Sequence, residues 1–134
     1  MTEPGSPAVE RLIRQSRSVA TATITYAELY AGLTRKYREG HVSSDRYALS
    51  CRQVDEDWSS YLLVELQQEV IQLARDLIKR HPLRGFDAIH LASALRLKTE
   101  LDEELSFIAA DEKLLGAASA ERFRTIHATT ASIR

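Results

Sequence analysis

The chain has 134 residues, enough for one ordinary domain with its own core and too few for two, so residues 1–134 are read as a single domain. Charged residues make up 28% and apolar residues 44%, the balance of a folded domain, and eighteen basic against nineteen acidic side chains leave a net charge of -1 that gives no general argument for nucleic-acid binding. The one cysteine, Cys51, excludes an internal disulfide and a multi-thiolate zinc site and fits a reduced, cytoplasmic setting.

In chain order, "MTEPGSPAVERLIRQ" opens with a helix start, Ser6 as N-cap and Pro7 at the first helical position, with Val9, Leu12 and Ile13 sharing a face. It lacks the basic start and apolar centre of a signal peptide, and no run in the chain approaches the ~20 apolar residues of a membrane helix. "SVATATIT", residues 18 to 25, is β-branched and short, as a buried strand is. A helix follows at once, with Tyr26, Leu29, Tyr30 and Leu33 at helical spacing and Gly40 as its stop. The next helix, "HVSSDRYALSCRQVDEDW", is capped by Ser43 or Ser44.

"SSYLLVEL" predicts a second strand, and "QQEVIQLARDLIKRH" an amphipathic helix with Val70, Leu73, Ala74, Leu77 and Ile78 on its stripe, ending near Pro82. "RGFDAIHLASAL" begins another helix. "ELSFIAA" predicts a third strand, "DEKLLGAASA" a helix and "ERFRTIHA" a last strand. Strands alternating with helices imply a three-layer α/β/α sandwich around a central parallel sheet.

Three acids stand out by position: Glu28, Asp87 and Asp111. Each has a local explanation. "TYAE" matches a capping box, with Thr25 as N-cap and Glu28 reaching back to it. Asp111 stands where an N-cap should, and Asp87 lies in a first helical turn, where negative charge suits the helix dipole. Together they say more, because Glu28 and Asp111 both follow the end of a predicted strand, the edge where parallel α/β sheets build their sites. If the helix around Asp87 opens at the same edge, three carboxylates converge. They repel unless a cation joins them, and an all-oxygen cluster suits Mg²⁺ or Mn²⁺. Phosphodiester hydrolysis is the chemistry such a centre supports.

Three segments, "TITYAELYAGL", "LRGFDAIHLASAL" and "SFIAADEKLLGAA", resemble in that order the PIN-domain family, particularly the VapC-like toxins of bacterial toxin–antitoxin pairs. With "DEDWSSYLLVEL" between them, the resemblance covers nearly the whole chain. It implies a metal-dependent endoribonuclease in which Glu28, Asp87 and Asp111 hold one or two Mg²⁺ or Mn²⁺ ions. It also implies an RNA substrate, a homodimer and a small neutralising antitoxin protein as partners.

The family's pattern begins with a strand ending in a further metal-binding aspartate, and here Glu3 and Glu10 are the only acids near the corresponding place. The expectation is therefore a PIN-like sandwich that lacks its first strand and shows three of four acids, with a translation start placed too far downstream favoured over a true truncation. Losing one carboxylate weakens metal binding, so the rival expectation is an inactive binding module that pairs with itself or with an antitoxin. A smaller departure is Ala109, where the family often carries a hydroxyl.

Other residues have plainer readings. His90, amid small and apolar neighbours, is expected to be buried with one hydrogen bond rather than to act as an acid or base. Arg84 either meets an RNA phosphate or solvates a loop. Arg35, Lys36, Arg38 and His41 read as a solvated helix face in preference to an RNA-backbone contact, and Trp58 and Tyr61 as packing residues in preference to base-stacking ones.

Overall fold

The computed structural model describes residues 19–128 and 132–133. The expected helix with Ser6 and Pro7 lies outside these residues. The described elements are β1 (Ala20–Ala22), α1 (Thr25–Arg38), α2 (Ser44–Trp58), β2 (Leu62–Val64), α3 (Gln68–Arg80), α4 (Gly85–Leu101), β3 (Ser106–Ala109), α5 (Glu112–Ala120), β4 (Arg124–His127) and β5 (Ser132–Ile133). The order is the predicted one, with β5 as an addition. The fold is mixed α/β with parallel strand pairing.

Element ends follow from local chemistry. Gly40 sits at φ 79°, and beyond it the His41 amide donates to the Lys36 carbonyl at 2.9 Å while the Gly40 amide donates to Tyr37 at 3.1 Å, so the orphan carbonyls of α1 are satisfied by a Schellman turn. Of the two candidate caps for α2, Ser43 is the one that acts, its hydroxyl accepting from the Arg46 amide at 3.1 Å. α3 stops at His81, which is extended, as the residue before Pro82 must be.

The strands are short and pair as two sheets. β1 runs parallel to β2, with Ala20 opposite Leu62 and Ala22 opposite Val64. β3 runs parallel to β4, with Ser106 opposite Arg124 and Ala109 opposite His127, and β4 pairs antiparallel with β5. Among the described residues no strand joins the two sheets. What joins them is α4. It packs on β1 and β2, while its Ala88, Leu91 and Ala92 share one core with Phe107 and Ala109 of β3.

α4 is suited to that place because its apolar and small residues run nearly all round its middle turns, the mark of a helix packed on several sides, while its ends reach water. Ala88, His90, Leu91, Ala92, Ser93 and Leu97 are all buried. α3, its closest neighbour, is amphipathic instead and buries Val70, Ala74 and Leu77, while Ile78 at the edge of the predicted stripe stays exposed. α1 and α2 pack as a pair. Their contact is fixed by Asp55, whose Oδ1 accepts from the Tyr26 hydroxyl at 2.7 Å and the Tyr30 hydroxyl at 2.9 Å. Burial and the bond to Asp55 push the Tyr30 phenol above its ordinary pKa. Trp58 packs between Tyr26 and Tyr61, at centroid distances of 5.1 and 5.9 Å, as a packing residue does.

The far ends of α3 and α5 are tied by Glu121. Its carboxylate accepts from His81 Nε2 at 2.7 Å and from Arg80 Nη2 at 3.1 Å. Burial alone would raise the Glu121 carboxyl, but the bonds from His81 and Arg80 and their charge outweigh it and hold the group below its ordinary value. A carboxyl lowered on folding stabilises the fold above its unfolded pKa, and that contribution is lost as pH falls through the folded one. The stability difference between the parent and Glu121→Gln in urea melts is therefore expected to be full at neutral pH and to shrink once pH drops below the carboxylate range. A difference that stays constant into strong acid would show that the charge of Glu121 is irrelevant.

Candidate functional site

The capping box predicted at the start of α1 does not form. The helix begins at Thr25 with Ile24 as its N-cap and without a side-chain cap, and the buried Thr25 hydroxyl accepts from Thr21 Oγ1 at 2.8 Å. Glu28 is thereby released from the helix end. Its Oε1 instead lies 2.6 Å from Nε2 of His90 on α4, a contact 62 positions apart in sequence. A carboxylate offers only acceptors, so Nε2 is the donor. The expected buried histidine is thus found, only 8% exposed, and its partner among the described residues is a candidate site acid.

Asp87 projects from the first turn of α4, half-buried, and makes no hydrogen bond or ion pair among the described residues. Asp111 follows β3 and caps α5, its Oδ1 accepting from the Leu114 amide at 3.1 Å. That local role leaves its second oxygen for other work. Asp111→Ala is expected to cost about 0.5–2 kcal/mol of stability in chemical denaturation, whereas Asp111→Asn, an equally good cap, should cost little. Any loss of metal binding in Asp111→Asn then reports on the site alone.

Glu28, Asp87 and Asp111 come together on the lining of one open cleft of about 680 Å³, alongside Arg84, Phe86 and Ala110. A second cleft, of about 630 Å³, adjoins it and shares Arg84, Asp87 and Asp111, and is lined also by His81, Lys113 and Ile78. The acids arrive there by three routes: Glu28 in the first turn of α1, six residues past β1, Asp111 two residues past β3, and Asp87 on the helix that bridges both sheets. This is the carboxyl edge of the strands, where α/β folds place their ligands.

Their chemistry fits a hard divalent cation. All the donors are carboxylate oxygens, and among the described residues Asp87 has no hydrogen-bond or ion-pair partner that would compete for it. The side chains do not form a closed cage, since no three His, Cys, Asp or Glu groups among the described residues converge enough to hold one ion. A closed cage is not what Mg²⁺ requires. It is ordinarily held by one or two carboxylates, with water and substrate phosphates completing the shell.

Arg35, Arg38 and His41 are exposed on or just beyond α1, and none of them lines either cleft. Arg84 does line both. Phe86 and Lys113 were not legible as site residues in the sequence, because a phenylalanine inside an apolar segment ordinarily packs in the core and a lysine on a surface helix is ordinarily solvated. The only available signal was position: Phe86 stands immediately before the candidate acid Asp87.

A family model described as the PIN domain matches residues 2–122. Two curated relatives from Mycobacterium tuberculosis are each 34% identical to the chain over 94 residues: Ribonuclease VapC45 of strain CDC 1551 / Oshkosh and Ribonuclease VapC49 of strain ATCC 25618 / H37Rv. Each match covers 70% of this chain and 65% of the relative's length.

Proposed function

Because the chain belongs to the PIN-domain family, we propose that it is a metal-dependent endoribonuclease of the VapC toxin type, in which Glu28, Asp87 and Asp111 hold Mg²⁺ or Mn²⁺. The observation that carries this reading is that three acids from three separate elements line one cleft at the carboxyl edge of the strands, with the Asp87 carboxylate unpartnered among the described residues. A bound divalent ion would supply an acidified water and stabilise charge developing on the phosphodiester. The chain's own residues supply position: His90 holds one oxygen of Glu28, the cap bond to Leu114 holds one oxygen of Asp111, and the rigid first turn of α4 presents Asp87.

On this reading the partners are RNA, a second copy of the chain and a small antitoxin protein, and the setting is the cytoplasm. The free Cys51 agrees with that setting, and among the described residues no helix is long and apolar enough to cross a membrane. A second reading, an inactive module that only pairs with itself or with an antitoxin, draws on the bond between Glu28 and His90 and the lack of a three-ligand cluster among the described residues. The test is RNA cleavage by metal-stripped protein after addition of Mn²⁺ or Mg²⁺. Cleavage that needs the ion and vanishes in Asp87→Asn supports the nuclease. No cleavage, together with a stable dimer, supports the module.

A further inference from the structure

Phe86 is the most exposed large apolar side chain among the described residues, at 62%, and it lines the acid cleft. Leaving most of the ring in water forgoes most of the burial free energy it could contribute to the core. Its sequence neighbour but one, Arg84, lines both clefts, and Lys113 lines the second. Neither cation has a hydrogen-bond or ion-pair partner among the described residues. His81, also in the second cleft, is already engaged by Glu121.

An acid cluster repels phosphate, so a polyanion that enters these clefts needs cations set beside the acids. Arg84 and Lys113 are placed to provide them, and Arg84 stands at the junction of the two clefts. A ring on the same wall offers a platform for an unstacked base, and unstacked bases belong to single strands. Ile89 and Ala110 share the ring's cleft, but the charged Arg84, Asp87 and Asp111 on the same lining suit a polyanion with flat bases better than an apolar protein face.

We propose that Phe86, Arg84 and Lys113 form a subsite for single-stranded RNA, the ring stacking on one base and the two cations meeting backbone phosphates on either side of the acids. The proposal rests on the nuclease reading for its substrate class but not on catalysis. Binding is therefore measured without metal, by fluorescence polarisation of a labelled single-stranded RNA of roughly 12 nucleotides and of its duplex, with EDTA present throughout.

Phe86→Ala is expected to weaken binding of the single strand roughly 5- to 150-fold, with Phe86→Tyr restoring it and duplex binding changing far less. Arg84→Gln and Lys113→Gln should each flatten the dependence of log affinity on log salt by about 0.7, the release of one phosphate's counterions. Thermal melting of each variant separates these effects from unfolding, and an exposed ring should leave the melt near that of the parent. Parental affinity in Phe86→Ala, equal loss on the duplex, or no RNA binding at all overturns the subsite; with parental affinity, a protein-docking role for the ring takes its place. RNA binding through Phe86 without metal-dependent cleavage would sink the nuclease reading and leave the subsite standing.

Discussion

If Asp87 holds the metal as proposed, Asp87→Asn is expected to abolish metal-dependent cleavage and to lower Mn²⁺ affinity by more than the 10- to 100-fold that loss of an outer hydrogen-bond partner costs at such sites, because it removes a ligand's charge outright. The substitution is nearly isosteric, and Asp87 has no protein partner to lose among the described residues. Two electrostatic terms act on the fold with opposite signs. A negative charge in the first turn of α4 stabilises the helix by about 0.3–1 kcal/mol, and its removal gives that up. Relief of repulsion from Glu28 and Asp111 across the cleft acts the other way. Stability should therefore change by less than about 1 kcal/mol while metal binding collapses. The measurements are the spectroscopic signal of free Mn²⁺ during titration, an RNA cleavage assay and a urea melt on the same sample. Unchanged Mn²⁺ affinity would remove Asp87 from the site.

Leu91→Ala is expected to produce the opposite pattern, a large loss of stability from a residue with no part in the chemistry. Leu91 is fully buried on α4 and belongs to the core with Leu77 of α3, Leu114 of α5 and Phe107 of β3. Truncation removes its transfer free energy and leaves a cavity that these elements cannot readily close, at a cost of about 2–5 kcal/mol. Against the 5–15 kcal/mol of an ordinary domain that is a large share, and it corresponds to a fall in melting temperature of roughly 8–20 °C. Thr99→Ala, on the exposed part of the same helix, should move stability by only about 0.5 kcal/mol. Equal effects of the two would show that α4 is not the bridge between the sheets. Because α4 also carries Asp87 and His90, Leu91→Ala should weaken metal and RNA binding near its new melting temperature and leave both intact well below it.

The contrast between these residues separates what periodicity records from what it cannot. α3 was legible from Val70, Ala74 and Leu77 because a helix with one wet face must repeat its apolar residues every third or fourth position. The end of α1 at Gly40 and the start of α2 at Ser43 were legible because orphan amides and carbonyls need particular residues beside them. The strands were legible in order and roughly in place, since short apolar or β-branched runs bounded by helices leave few other structures. Their arrangement as two sheets joined through α4 was not, because pairing is decided between segments far apart in the chain.

The three acids divide in the same way. That Asp111 caps a helix follows from its own neighbours, and the structure keeps that role. That Glu28 completes a capping box also followed from its neighbours, and there tertiary contact prevailed: His90, buried on α4 and needing an acceptor, draws the carboxylate away. The sequence by itself determined the order of the elements, the family pattern and the candidate acids, all of which depend on residue type and spacing. Only the tertiary structure decided that Glu28, Asp87 and Asp111 share a cleft and that Phe86 faces it in place of the core. Those outcomes depend on how α4 seats between the two sheets, a packing choice made by side chains from every part of the chain at once.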